Sequence, residues 1–182
     1  MDATAVLRAS LDDYARRWPD EAGTVAAFRE LLDDAEDPFR RERLAGHFTA
    51  SAWLVDATGT RVLLTHHRKL GRWLQLGGHA DGDRDLAAAA LREAQEESGL
   101  QDLDVEPAPF DLDSHPIPAR SDTPAHAHYD VRYVVHARGA TDFVVSAESL
   151  ALAWRDIRGL RDDPDTDPSL RRMADKWLAR SA

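Results

Sequence analysis

One segment, Gly77–Leu100, constrains the fold of this chain more than any other. It reads GGHADGDRDLAAAALREAQEESGL and begins with two glycines and an acidic turn. Apolar residues then recur at helical spacing, so the segment predicts an amphipathic helix with one face buried. Gly99 is suited to end that helix as a C-terminal cap, and Asp83 or Asp85 is suited to cap its start.

Three carboxylates share the other face of this predicted helix. Glu93, Glu96 and Glu97 stand at i, i+3 and i+4, and like charges at that spacing cost roughly 0.2–0.5 kcal/mol per pair. They also lie near the helix C-terminus, which disfavours anions. A hard divalent cation would remove this conflict, because Mg²⁺ prefers oxygen ligands and bridges carboxylates to phosphates. The alternative is a solvated acidic face, which is common on helices.

The segment resembles the Nudix box, written G-x(5)-E-x(7)-R-E-U-x-E-E-x-G-U, where U is apolar. Gly78 takes the first glycine, and the second half of the box is matched at every spacing by REAQEESGL, residues 92–100. So many fixed positions make the match specific. One position departs from the pattern: the expected glutamate is Arg84, flanked by Asp83 and Asp85. Either aspartate replaces the glutamate, or the outer metal shell is altered.

The resemblance to the Nudix family implies an α+β fold, the Nudix α/β/α sandwich with a mixed sheet. It implies Mg²⁺ or Mn²⁺ as the cofactor and places Arg92 in the catalytic set. Glu96 and Glu97 would be metal ligands, and Glu93 would be a ligand or the general base. The backbone carbonyl of Gly77 would be an auxiliary ligand.

The resemblance also implies a reaction, hydrolysis of the diphosphate linkage in a nucleoside diphosphate joined to another moiety. A second hypothesis is a Nudix module that binds or senses a nucleotide or sugar-phosphate without hydrolysing it, and Arg84 motivates it. A third, an isopentenyl diphosphate isomerase, is disfavoured because the chain has no cysteine and such enzymes use one.

Net charge limits the partners of the protein. With 33 acidic and 23 basic residues the net charge is −10, which argues against binding to a nucleic-acid duplex or to an anionic membrane. A small phosphorylated nucleotide-type substrate remains compatible with it. The absence of cysteine fits a reducing compartment, and the N-terminal sequence lacks the apolar core of a secretory signal. We therefore expect a cytoplasmic protein.

The chain divides by hydrophobic period into an N-terminal helical extension, residues 1–45, and a Nudix domain, residues 46–182. One helix is predicted to end at Pro19, a second to span about residues 23–35, and a short third piece to begin at Pro38. Their apolar stripes need a partner. That partner is the catalytic domain or a second subunit of a homodimer.

From residue 46 the pattern becomes β-like. HFTASAWLVD and RVLLTHH predict a hairpin, RWLQLGG one short strand leading into the box, and HAHYDVRYVVHA a strand of alternating faces. A last helix is predicted after Asp167, with Pro168 in its first turn.

Six residues are candidates for substrate binding. They are Arg68, Lys69, Trp73, Arg120, His126 and His128. The basic loop beside an acidic metal site is suited to grip a phosphate, or it is an ordinary loop tip. Trp73 stacks on a base or belongs to the core. The row His126, His128 and Asp130 binds metal or phosphate, or it is a solvated face of the sheet.

Overall fold

The computed structural model of the protein describes residues 2–34, 36–119, 123–139, 141–146 and 149–180. Its helices are α1 (Ala3–Arg17), α2 (Ala22–Leu32), α3 (Leu86–Ser98), α4 (Ile157–Asp162) and α5 (Pro168–Ala179), with a 3-10 turn at Pro19–Glu21. Its strands are β1 (His47–Val55), β2 (Arg61–His67), β3 (Trp73–Leu74), β4 (Leu76–His79), β5 (Leu103–Val105), β6 (Asp111–Ile117), β7 (His126–Ala137) and β8 (Ser149–Asp156).

The strands form one mixed sheet around β1, as predicted. The strand order is β3-β2-β1-β7-β5, while β4 adds to β1, β6 to β7 and β8 to β2. β1 and β7 run parallel, from His47 opposite His128 to Val55 opposite His136, and the other pairings are antiparallel. The predicted hairpin of β1 and β2 is confirmed.

Helices cover both faces of the sheet, which gives the expected sandwich. On one face, Phe48, Ala50 and Val131 pack with residues of α1, α2 and α3. On the other face, Trp53 and Val134 pack with residues of α4 and α5. This division follows from the alternation of side chains along a strand. None of the helices in the described part of the chain has the length and hydrophobicity that crossing a bilayer requires.

The N-terminal extension contains the first two predicted helices but not the third. α1 and α2 join the same hydrophobic cluster as the sheet, where the rings of Phe28 and Phe48 lie 6.1 Å apart. Residues 36–46 form turns and bends instead of a helical piece. The reason is that two carbonyls at the start of this segment bond elsewhere: the carbonyl of Pro38 accepts from the amide of Phe48, and that of Phe39 accepts from the amide of Gly82.

The predicted strand RWLQLGG is in fact two strands. β3 pairs with β2, whereas β4 pairs with β1. Gln75 stands at the break, and its side-chain amide donates to Asp130 Oδ2 at 3.2 Å. The change of partner moves the two glycines of the box next to the centre of the sheet.

A charged network lies buried between the sheet and α5. Asp111 is fully buried and accepts hydrogen bonds from Arg132 (3.1 Å), Arg172 (2.8 Å) and Lys176 (2.7 Å). Asp113 on the same strand accepts a further bond from Arg172 at 2.9 Å. Buried charges are tolerated when they are paired in this way.

Asp113 gives the network a predictable dependence on pH. Burial raises its pKa, but the hydrogen bond from His115 and the charges of Arg132 and Arg172 outweigh burial and hold the pKa well below its ordinary value. The unfolded chain has a higher pKa, about 3.9. Ionised Asp113 therefore stabilises the fold above about pH 4, and this stabilisation is lost as the pH falls further.

We expect Asp113→Asn to lower the free energy of unfolding by about 1.5–3 kcal/mol near neutral pH, the range for hydrogen bonds to charged groups. In urea denaturation the difference from the unmodified protein should shrink as the pH falls below about 4. Asp104→Asn is the control, because Asp104 is exposed in its pair with Arg138 and should cost about 0–1 kcal/mol. A difference that stays constant with pH would contradict this account.

Candidate active site

The two ends of α3 are held as the sequence predicts. Asp85 caps the helix, with its Oδ1 accepting the amide of Ala88 at 3.0 Å. Gly99 ends it in the left-handed region, at φ +74°, where glycine is favoured. Ala89, Ala90 and Ala94 are fully buried. The side of α3 that carries the glutamates therefore lies at the margin of the hydrophobic core.

Two of the three glutamates lie against the backbone of β4. The amide of Gly77 donates to Glu97 Oε1 at 2.7 Å. Gly78 lies against Glu93 so closely that a Cβ there would be 2.6 Å from its Cδ. Glu96 is exposed. Glycine is thus needed at position 78 because the Glu93 carboxylate approaches the strand backbone directly, and at position 77 because a Cβ there would overlap Ser51 and the carbonyl of Ala50 on β1.

The carboxylates of α3 have the donor chemistry of a candidate magnesium site. These glutamates do not form a compact set of ligands by themselves. Within the described ranges, the residues whose ligand atoms lie within 4.8 Å of one another are three histidines. Mg²⁺ is usually held by one or two carboxylates together with waters and substrate phosphates, rather than by an all-protein cage. Glu93 and Glu97 beside an open Glu96 match that donor chemistry.

We expect Gly78→Ala to lower kcat by roughly 100-fold, because a displacement of about 1 Å at a catalytic group has that effect. The added Cβ would overlap the Glu93 carboxylate. Gly23→Ala in α2 is the control, since a Cβ at Gly23 meets nothing within 4 Å; it should leave kcat unchanged. Activity and thermal unfolding are measured together. A Gly78→Ala protein with full activity would show that the Glu93 position is unimportant.

Arg92 links the acidic turn to the glutamates. Its guanidinium lies 3.4 Å from Asp83 Oδ2 and 3.6 Å from Glu93 Oε1. Because Asp85 caps the helix and also donates its amide to Asp83 Oδ1 at 2.9 Å, both aspartates have structural contacts in this turn.

Arg84, which replaces the expected glutamate, points to the N-terminal extension. It donates to Asp37 Oδ2 at 3.1 Å and to Thr4 Oγ1 at 3.0 Å, and its guanidinium lies over the ring of Phe39. The residue therefore ties the turn before α3 to the start of α1.

Arg41 is a cation near the site that the sequence pattern does not reveal. It forms a bidentate pair with Asp81. The hydrogen bond to Asp81 raises the pKa of Arg41, and Glu93 contributes to that rise. Arg41 also contributes to lowering the pKa of His79. Arg41 therefore lies within electrostatic range of both the acidic face and β4, although it comes from the turns after α2.

The predicted basic loop lies between β2 and β3. Arg68 donates to the carbonyl of Ser149 at 3.2 Å, and the amide of Lys69 bonds to His67 Nδ1. Trp73 packs at the edge of the α4–α5 cluster under the guanidinium of Arg155. Arg120, the remaining basic candidate, lies outside the described residues.

The histidine row of β7 is not a solvated face. Asp130 is only 2% exposed and accepts hydrogen bonds from Ser51 (2.8 Å), Thr49 (3.0 Å) and Arg132 (2.8 Å). His126 and His128 continue the row and are partly buried. The polar side chains of β1 opposite them make this end of the face an enclosed polar surface.

Five histidines from four strands meet beyond Asp130. They are His47 on β1, His79 on β4, His115 on β6, and His126 and His128 on β7, with ring centroids 4.9–5.6 Å apart in the closest pairs. Burial lowers the pKa of His79 to about 4 and that of His128 to about 3, and neighbouring positive charge adds to both effects. Burial likewise lowers the pKa of His47. His47, His79 and His128 are therefore neutral near pH 7.

Comparison with known proteins shows which family of domains contains this site. The sequence profile of the NUDIX domain matches residues 45–176. A NUDIX-family hydrolase from Clostridium perfringens superposes with a TM-score of 0.58 at 23% identity, over 75% of this chain and 98% of that chain. The Escherichia coli dihydroneopterin triphosphate pyrophosphohydrolase superposes with a TM-score of 0.57 at 16% identity, over 73% of this chain and 95% of that chain.

A Caenorhabditis elegans Ap4A hydrolase is similar over the same region. It superposes with a TM-score of 0.54 at 17% identity, covering 74% of this chain and 96% of that chain. At these identities the structural likeness shows the fold. A search of curated protein sequences finds no significant match.

Proposed function

The chain belongs to the NUDIX domain family, and on that premise we propose that this Nudix hydrolase cleaves the diphosphate linkage of a nucleoside diphosphate joined to another moiety, with Mg²⁺ or Mn²⁺. The observation that carries the proposal is the approach of Glu93 and Glu97 to the Gly77–Gly78 backbone. On a purely solvated acidic helix the carboxylates would extend into water instead of lying against a strand.

Three or four groups of the chain would hold the divalent ion. Glu96 and Glu97 are its proposed ligands, the carbonyl of Gly77 is auxiliary, and Glu93 is a ligand or the general base. When bound, the ion supplies positive charge that neutralises phosphate oxygens and makes water more acidic.

The remaining steps use side chains of the protein. Glu93 accepts the proton of the attacking water. The water oxygen forms a bond to phosphorus as the bond to the leaving phosphate oxygen breaks. Arg92, 3.6 Å from Glu93, positions that carboxylate, and Arg41 is proposed to stabilise negative charge that develops on the phosphates. Arg68 and Lys69 are proposed to bind the part of the substrate farther from the glutamates.

A substrate panel tests the proposal. Nucleotide sugars, dinucleoside polyphosphates, CDP-alcohols and nucleoside triphosphates are incubated with the protein and Mg²⁺ or Mn²⁺, in water enriched in ¹⁸O. We expect metal-dependent release of a nucleoside phosphate, with the label in one phosphate product. Tight nucleotide binding with no turnover would overturn hydrolysis and favour the sensing module.

A further inference from the structure

We infer that His47, His126 and His128 form a binding site for one divalent transition-metal ion of the zinc class, separate from the carboxylates of α3. The parallel register of β1 and β7 sets His47 opposite His128, and His126 lies two residues earlier on the same face of β7. The site therefore stands on three positions of a rigid sheet rather than on a loop.

The nitrogen atoms of these histidines converge to within reach of a single metal ion. One ligand atom from each ring lies within 4.8 Å of those from the other two. His126 Nε2 and His128 Nε2 are 3.2 Å apart and share one proton in a hydrogen bond, which metal binding would release. Two nitrogens that bind one tetrahedral ion at about 2.0–2.1 Å are separated by roughly 3.3 Å. A small movement of the His47 ring would complete the set.

Two backbone carbonyls orient the rings for this role. His47 Nδ1 bonds to the carbonyl of Arg43 at 3.2 Å, and His126 Nδ1 bonds to the carbonyl of Pro124 at 2.9 Å. A carbonyl only accepts, so each Nδ1 carries the proton and each Nε2 keeps its lone pair. Metal-binding histidines are commonly oriented in this way by an outer hydrogen bond.

His47 supplies an observation independent of the cluster geometry. His47 is only 2% exposed, and its buried Nε2 has no hydrogen-bond partner within the described part of the chain. Buried polar atoms in folded proteins nearly always have one. A metal ion between the three rings would satisfy this atom.

The chemistry of the donors selects the class of ion. Imidazole nitrogen suits Zn²⁺, Ni²⁺, Co²⁺ and Cu²⁺, whereas Mg²⁺ prefers oxygen. Three histidines leave a fourth position for water or for His79, whose ring lies 5.2 Å from that of His47 and 5.1 Å from that of His128. A phosphate, the competing ligand, would need hydrogen-bond donors, and the oriented lone pairs of His47 and His126 do not provide them.

The two metal sites would be neighbours along β4. Gly77 contacts Glu97, and His79 contacts the rings of His47 and His128. The Arg41–Asp81 pair acts electrostatically on both. Oxygen donors thus lie on the helix side of this strand and nitrogen donors on the other, so the inference does not depend on the proposed hydrolysis.

The test measures metal binding directly on the full chain. The protein is stripped with a chelator, and Zn²⁺ is titrated in competition with a chromophoric chelator; Co²⁺ absorption then reports the ligand geometry. We expect one tight Zn²⁺ per chain and a Co²⁺ spectrum typical of nitrogen ligands with low coordination number. His126→Gln and His128→Gln should each weaken binding by at least about 100-fold, the upper end of the effect of losing an outer-shell partner.

Two matched variants determine whether the bound Zn²⁺ belongs to this cluster. His136→Gln changes a histidine of the same strand that bonds to Glu106, and Glu97→Gln changes the carboxylate site; both should keep tight Zn²⁺ binding. His126 is partly exposed at the start of β7, so its variant should fold, as circular dichroism can check.

Three results would overturn the inference. They are the absence of tight Zn²⁺ binding, binding that survives in both histidine variants, and binding lost in Glu97→Gln. Retention of inorganic phosphate by the metal-free protein, lost in the histidine variants, would replace the metal site with an anion site.

Discussion

Glu93→Gln should reduce kcat by roughly 100- to 10,000-fold on whichever substrate the panel identifies, which is the range for loss of a general base. The amide cannot accept the proton of the attacking water, yet it fills nearly the same space beside Gly78. The Glu93 carboxylate occupies the space beside that glycine, and glutamine has nearly the same shape, so the change preserves the shape of the site while removing its charge. Steady-state kinetics at saturating Mg²⁺ measure the effect.

Glu97→Gln distinguishes metal binding from proton transfer. Its side-chain oxygen can still accept the amide of Gly77, which lies 2.7 Å from Glu97 Oε1, so the fold should persist. We expect the Mg²⁺ concentration for half-maximal activity to rise, whereas Glu93→Gln should mainly lower kcat. Glu30→Gln in α2 removes the same charge at an exposed position and should change neither. Full activity in both active-site variants would refute the role of the acidic face.

Arg132→Met should give the largest loss of stability, about 3–5 kcal/mol, as is typical when one partner of a buried ion pair is removed. The guanidinium lies 2.8 Å from Asp130, 3.1 Å from Asp111 and 3.2 Å from Asp113. All three carboxylates would lose a cation, and Asp111 is fully buried. Urea denaturation near neutral pH measures the change in the free energy of unfolding.

Arg138→Met provides the matched control. Arg138 follows the same strand, but its ion pair with Asp104 is exposed at the surface, so the loss should be about 0–1 kcal/mol. If Arg132→Met were as stable as the control, the buried network would contribute nothing net to the fold. Methionine keeps the apolar stem of arginine, which limits the effect to the loss of charge and hydrogen bonds.

Local patterns in the sequence predict the helices and strands whose own residues determine them. The cap at Asp85, the end of α3 at Gly99, the β1–β2 hairpin and the helix that starts at Pro168 are all confirmed. Each depends on residues within a few positions of one another. The prediction for the turns after Pro38 is wrong because their hydrogen bonds go to β1 and to the turn before α3, far along the chain.

The site is predictable only in part for the same reason. The glutamates of α3 follow from helical spacing, and the row on β7 follows from alternation along a strand. The meeting of His47 with that row depends on the register of two parallel strands that are distant in the sequence, since His47 pairs with His128. Likewise, Arg41 pairs with Asp81 in the turn before α3, where Glu93 also contributes to its raised pKa. Nothing in the local pattern around either residue indicates such a contact.

The packing of the first two helices limits how this protein can be divided. Phe28 contacts the rings of Phe48 and Tyr129, and Arg84 fastens the turn before α3 to Thr4 and Asp37. A shortened protein beginning at Gly46 would expose those aromatic rings to water and release the turn before α3. We therefore expect that α1 and α2 must be retained in any shortened version of the protein, and that a protein limited to the region after them would aggregate.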